Sequence, residues 1–504
     1  MNDAREQVFL QEGSSFPGKT YAEVVLQPAF QEAKRHLLAP LIAVNKAQLI
    51  MLREQQLISE ADAQAIARAL HRLDLEEVRR TPYSGQFEDL FFLVERRLLA
   101  AAGEAAGNLH LGRSRNDMGV TMYRLVLRDK LLHSLESALF LAAQLLSFAE
   151  AHTETVMLGY THMQQAQPTT LAHYATAVSD VLERDIKRLM HAYRTVNKSS
   201  MGAAALTTSG FPLSRERMKE LLAFDDIVEN AYDAVAGADY LGETAAAVHV
   251  AATNLGRAIQ DLLLWCTQEF AVLRVADPYV QASSIMPQKR NPVSLEHLRS
   301  LLSSAAGNAA TVLTMMHNTP FGDIVDTEDD MQPYVWRSLS LLEQLYRLLA
   351  CVIATLEVDR QRLLERARQS FATLTELADT LVRTDNLPFR KAHQIVSRVG
   401  REAMRLQLSA DQLSLDLLNQ VAQEVIGRRL QLSAEQLRQA LDPLHFVTVR
   451  ALPGGPNPEV VKRMIAERRK RLGAIAEWVG TTRQTIAQAQ RSLDQVVEGW
   501  SEAR

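Results

Sequence analysis

Cysteine is scarce: 504 residues contain only Cys266 and Cys351. Two thiols in apolar helical runs make no disulfide framework, and no Cys/His spacing matches a metal site. Buried free thiols are the expectation, with no metal and no cofactor. No run of about 18 uninterrupted apolar residues occurs, which argues against a membrane span. The first residues, M-N-D-A-R-E-Q, lack the apolar core of a signal peptide, so a cytoplasmic protein is expected. Neither sign of charge dominates. Lys and Arg number 55 against 59 Asp and Glu, a net charge of -4, which gives no reason to expect nucleic acid as a partner. The one basic run, Glu467-Arg-Arg-Lys-Arg471, reads as a solvated helix face. Strand-like alternation is scarce, and internal repeats and low-complexity segments are missing.

Helical spacing is abundant. Hydrophobic residues make up 47% of the chain, enough for a large core. Leu125, Leu132, Leu135 and Leu139 form a stripe at helical intervals, as do Leu341, Leu345, Leu348 and Val352. Five segments are long and nearly free of Gly and Pro: about 118–153, 171–196, 240–270, 295–316 and 335–355. Helices of that length need partners along them. The fold class expected is all-α: an N-terminal helical domain (1–112), a central long-helix bundle (113–360) and a C-terminal helical domain (361–504) with an added tail beyond about residue 466.

The most informative stretch is Ala282 to Pro292, A-S-S-I-M-P-Q-K-R-N-P. Its prolines fix φ and disfavour helix, so it is a loop. Ser283 or Ser284 is a candidate base or nucleophile there, and Lys289 and Asn291 can hold an anion. A mobile flap closing on a small carboxylate fits this chemistry. Two further segments carry polar groups: N-L-H-L-G-R-S-R-N-D (108–117) and G-Y-T-H-M-Q-Q-A-Q-P (159–168). Arg115 can grip a carboxylate bidentately, with Ser114 and Asn116 adding hydrogen bonds. His162 is a candidate proton donor, because imidazole titrates near neutral pH. Thr161 can orient the substrate. Glu296, at the start of a helix, can pair with His162.

Together these three segments resemble the argininosuccinate lyase family of the fumarase/aspartase superfamily. Its matching segments contain H-T-G-R-S-R-N-D and G-Y-T-H-L-Q-x-A-Q-P. The likeness runs from about residue 88 to 460 and includes L-P-F-R-K-A-H-Q-I-V (387–396). It implies an amine eliminated from an N-substituted aspartate to release fumarate, by way of an aci-carboxylate dianion. It further implies Ser283 as base, Lys289 as a stabilising cation, a His162–Glu296 pair on the acid side, and Ser284 and Met286 in the substrate loop. A homotetramer whose sites draw on three subunits is implied too. Some relatives serve as inactive crystallins, but Ser283, His162 and Lys289 remain in this chain.

The departures gather at the amine end. The family pattern Y-N-K-D-L-Q-E-D-K is here Asp323 to Met331, D-I-V-D-T-E-D-D-M. Asp323 stands for Tyr, Glu328 for Gln and Met331 for Lys. The threonine of H-T-G-R-S-R-N-D is Leu111, and the histidine of E-D-I-H is Phe91. Exchanging a lysine for two carboxylates disfavours a free carboxylate there and favours an amine or polyamine. An N-substituted aspartate related to argininosuccinate is expected, with aminopolycarboxylates such as those of ethylenediamine-disuccinate lyase as one option. Gly13 to Thr20 also fits G-x-x-x-x-G-K-[ST], but a phosphate loop needs a preceding buried strand, and residues 1–12 offer only Val8-Phe-Leu10.

Overall fold

The computed structural model describes residues 2–502. Five long helices form its centre: α1 (Arg115–Ala151), α2 (Leu171–Val196), α3 (Asp239–Trp265), α4 (Val293–Met316) and α5 (Gln332–Ala354). Each packs on the next and α5 returns to α1, closing a ring. All five expected segments are helical, which makes the chain all-α. Leu132 and Leu135 are fully buried, and Leu345 and Val352 nearly so. Each such side chain contributes roughly 1.5–3 kcal/mol by leaving water. Leu139, Leu341 and Leu348 stay half-buried in the single protomer.

Starts and stops follow local chemistry. Ser114 caps α1: its Oγ accepts from the Asn116 N–H at 3.3 Å, while Asp117 accepts from the Ser114 N–H at 2.9 Å. This reciprocal box satisfies donors that the first helical turn leaves free. Thr170 caps α2 by accepting from the His173 N–H at 3.1 Å. Pro292 precedes α4 and Pro333 lies in the first turn of α5, where a missing N–H costs nothing.

A last helix, α6 (Pro458–Glu502), spans 45 residues. It lies along the Leu38–Glu54 and Glu60–Arg72 helices and along α1 and α2. Val461, Ile465, Leu472, Val479, Leu493 and Val497 join the main core from it. In the Glu467–Arg471 run Glu467, Arg469, Lys470 and Arg471 are exposed, as a solvated face would be, and only Arg468 is buried. Arg468, only 9% exposed, binds Asp180 through Nε at 2.7 Å. Arg469 pairs with Glu150 at 2.7 Å and Arg471 with Glu183 at 2.8 Å. Those carboxylates sit on α1 and α2, some 290 to 320 positions away, so the pairing had no local signal. A second core lies apart, built by the Leu374–Asp385, Phe389–Arg405, Leu415–Ile426 and Ala434–Leu441 helices around Leu377, Leu381, Ile395 and Leu418.

Three smaller findings bear on function. Helix α1 is apolar and long enough to cross a bilayer, but 56% of its most apolar window is buried inside the fold. A helix (Asn2–Glu12), not a strand, precedes Gly13–Thr20. The Thr20 N–H and hydroxyl there bond the Glu12 carboxylate at 2.6 and 2.5 Å, so the segment has no phosphate-loop context. Cys266 and Cys351 are free and half-buried rather than fully buried.

Candidate active site

The chain bends sharply into α1. Gly112 has φ 66°, a left-handed conformation, and an added Cβ would stand 2.7 Å from Leu213 Cδ1. Only glycine fits that turn without strain. Buried Arg113 donates to Asn45 Oδ1 at 2.8 Å, so it anchors the turn rather than forming a surface ion pair. Asp117, fully buried, accepts from Gly202 N–H at 2.9 Å and Ala204 N–H at 3.0 Å as well as from Ser114. Burial pushes its carboxyl up to about 6, against the pull of those three amides.

This scaffold presents Arg115 and Asn116 to a cleft of about 320 Å³. Arg115 lies over the Phe92 ring at 4.9 Å. Its Nη1 donates to Asp89 at 2.8 Å and to Glu88 at 3.2 Å. Both bonds use one nitrogen, which leaves the Nε–Nη2 edge for a planar carboxylate. Glu88 and Asp89 were not singled out from sequence. The signal was there, because they begin the segment matching E-D-I-H.

Asp323, Glu328 and Asp329 line the same cleft. They come from the turn before α5, whose Asp326–Asp330 part is a π-helical loop. Burial pushes Glu328 up to about 8, reinforced by a hydrogen bond to Asp323 and by the charges of Asp323 and Asp329. Among the described residues that line it, Arg115 alone is basic, against five carboxylates. Met331, in the position of the family's lysine, is fully buried in the core. Tertiary structure thus brings Arg115, Asn116, Asp323 and Glu328 together within one protomer.

The other expected residues stand elsewhere. Strands β1 (Val156–Thr161) and β2 (Gln164–Thr170) pair antiparallel, with Thr161 opposite Gln164. His162 (φ 51°) and Met163 (φ 62°) form the two-residue turn between them, the left-handed pair a tight hairpin requires. Neither is glycine, so the turn holds a strained conformation that places His162 in solvent. Short strands β3 (Gln281–Ala282) and β4 (Arg290–Asn291) close the base of the Ser283 loop. Ser284, Met286 and Lys289 are exposed, and Ser283 and Asn291 half-buried. Ser283 Oγ accepts from the N–H groups of Met286 at 3.0 Å and Ile285 at 3.4 Å. Glu296 is exposed in the first turn of α4. Among the described residues it makes no contact with His162 within the protomer, and none of Ser283, Lys289, Thr161 or His162 lines the Arg115 cleft. Among the described residues no cluster of His, Cys, Asp and Glu could hold a metal ion.

Comparison with known proteins converges. A family described as lyase matches residues 42–307, and one described as argininosuccinate lyase C-terminal matches residues 371–448. "Argininosuccinate lyase 2" of Agrobacterium fabrum is 40% identical over 483 residues, 95% of this chain and 94% of the relative. Argininosuccinate lyase of Methanothermobacter thermautotrophicus is 38% identical over 86% of this chain and 92% of its own. Among solved structures, EDDS lyase in complex with formate is 30% identical with a TM-score of 0.86, covering 98% of both chains. The ring of five helices and its exposed polar loops thus define a helical-bundle lyase. The chain belongs to the argininosuccinate lyase family, and it is a carbon–nitrogen lyase of that kind.

Proposed function

We propose that this enzyme eliminates a cationic amine from an N-substituted aspartate and releases fumarate. The observation that carries the reading is the shared cleft, in which Arg115 and Asn116 meet Asp323 and Glu328. Arg115 offers a free fork edge to one carboxylate of the succinyl group. The carboxylates on the far wall suit an ammonium or polyamine. An arginine-type product would need a cation for its own carboxylate, and among the described residues Arg115 is the sole basic side chain lining the cleft.

The chemistry follows from the loops. Ser283 takes the proton beside a carboxylate, and the charge spreads into that carboxylate as a dianion. The two backbone N–H groups aimed at Ser283 Oγ favour its anionic form. Lys289 and Asn291 supply preorganised donors to the dianion. His162, oriented by Glu296, protonates the departing nitrogen, and Thr161, Ser284 and Met286 position the substrate. Ser114 caps the helix that carries Arg115.

These groups lie on separate elements of one protomer, so the site is completed by neighbouring copies in a homotetramer with sites shared by three subunits. Val250, Leu301 and Leu313 are exposed apolar residues on α3 and α4, and they support assembly through that face of the bundle. The enzyme works in the cytoplasm on a small molecule. The three parts 1–112, 113–360 and 361–504 serve as N-terminal, bundle and C-terminal domains.

The test is Ser283→Ala in purified protein, with fumarate followed by absorbance. Turnover should fall by about 10²–10⁴-fold with helicity and assembly retained. Mixing that variant with Arg115→Ala should recover activity, because mixed tetramers contain sites lacking both defects. Unchanged turnover in Ser283→Ala removes the serine from the mechanism. No recovery on mixing removes the shared site.

A further inference from the structure

The Ser283 loop has a back as well as a front. Behind it lies a cavity of about 420 Å³. Gln288, Arg290 and Pro292 line that cavity, whereas Lys289 and Asn291, which alternate with them, do not. Such alternation belongs to extended chain, in which successive side chains point to opposite faces. The run is a two-faced ribbon. Its even-numbered residues look back into the cavity, and Lys289 and Asn291 look the other way.

Arg290 tethers the rear face. Its Nη2 donates to the Val275 carbonyl at 3.3 Å and meets the Asp277 carboxylate at 2.5 Å. Val275 is only 3% exposed and belongs to the main core. The short strand just before it, Leu273–Arg274, pairs with Glu357–Val358 beyond α5. The anchor is therefore rigid, while the loop from Ser284 to Lys289 is exposed. The ladder closing the loop has just two residue pairs, Ala282 with Arg290 and Gln281 with Asn291, too short to fix its orientation alone. An exposed ion pair adds little to stability. What the clasp sets is geometry: with Arg290 held to the core, the ribbon cannot rotate about its own axis, and the directions of Lys289 and Asn291 are fixed.

We propose that Arg290 is a positioning residue for the elimination, which through Val275 and Asp277 turns Lys289 and Asn291 toward the substrate. The inference rests on the lyase reading above, in which those two donors stabilise the dianion. A ground-state dicarboxylate gripped by Arg115 does not need that alignment, but the dianion does. Misplacing a catalytic group by about 1 Å costs roughly 10²-fold, and a loss confined to the transition state lowers kcat while sparing KM.

The test runs the reaction in reverse on the assembled protein, joining fumarate to 1,2-diaminoethane, 1,4-diaminobutane or arginine and following fumarate absorbance. With the fastest of these amines, Arg290→Gln should lower kcat by about 10–100-fold and leave the KM for fumarate within about twofold. Arg290→Lys, which restores a cation to the clasp, should recover most of that kcat. Added to Lys289→Ala, Arg290→Gln should cost less than about threefold more, because the donor it aligns is already gone. Unchanged kcat in Arg290→Gln, a loss carried by KM, or the full loss repeated in the Lys289→Ala background would overturn the positioning role. Wild-type turnover in Lys289→Ala, or no adduct from the wild-type enzyme with any of the three amines, would overturn instead the reading on which it rests.

Discussion

Replacing Glu328 with glutamine probes the acidic wall through stability as well as activity. The Glu328 carboxyl is pushed from 4.5 up to about 8, first by burial and then by Asp323. The raised value means that the folded protein holds this proton between about pH 4.5 and 8, where the unfolded chain has released it. Unfolding releases a proton across that window, so stability falls as pH rises through it and levels off above the folded value. At about 1.4 kcal/mol per pH unit, the whole interval would approach 5 kcal/mol. The cleft is open to water and Arg115 partly compensates the charge, so about 1–2 kcal/mol per protomer is the expected penalty at pH 8.5. Glutamine can keep the hydrogen bond to Asp323 without carrying charge. Glu328→Gln should therefore melt close to wild type near pH 4.5 and above it at pH 8.5, by roughly 1–4 °C, read by circular dichroism on the assembled protein. A constant gap across pH, or a lower melting temperature at pH 8.5, would refute the burial of a proton-holding carboxyl beside Asp323.

Two other substitutions test the frame of the site. Asp117→Ala removes the acceptor for three backbone N–H groups, and should cost about 2–4 kcal/mol in denaturant unfolding; a loss below about 0.5 kcal/mol would mean those amides find other partners. Gly112→Ala puts a methyl group 2.7 Å from Leu213 Cδ1 at positive φ and should cost about 1–3 kcal/mol. Because Arg115 follows three residues later, its kcat/KM should fall as well, and wild-type kinetics with a lowered melting temperature would show that the helix start does not set the Arg115 position.

Sequence alone determined the five bundle helices, since Leu and Ala at helical intervals without proline admit few other structures. It also offered the candidate groups of the Ser283 loop and of Thr161–His162, whose side-chain types are read directly. The approach of Asp323 and Glu328 to Arg115 was implied only by the family resemblance and not by the residues themselves, because more than 200 positions separate them and only ring closure of α5 on α1 joins the two segments. For the same reason the ion pairs of the basic run in α6 had no local signal. Its partners, Glu150, Asp180 and Glu183, become neighbours only when the tail folds back along α1 and α2. Local pattern decides helices and reactive groups; which charges share a cavity is decided by long-range packing, the property a linear chain does not display.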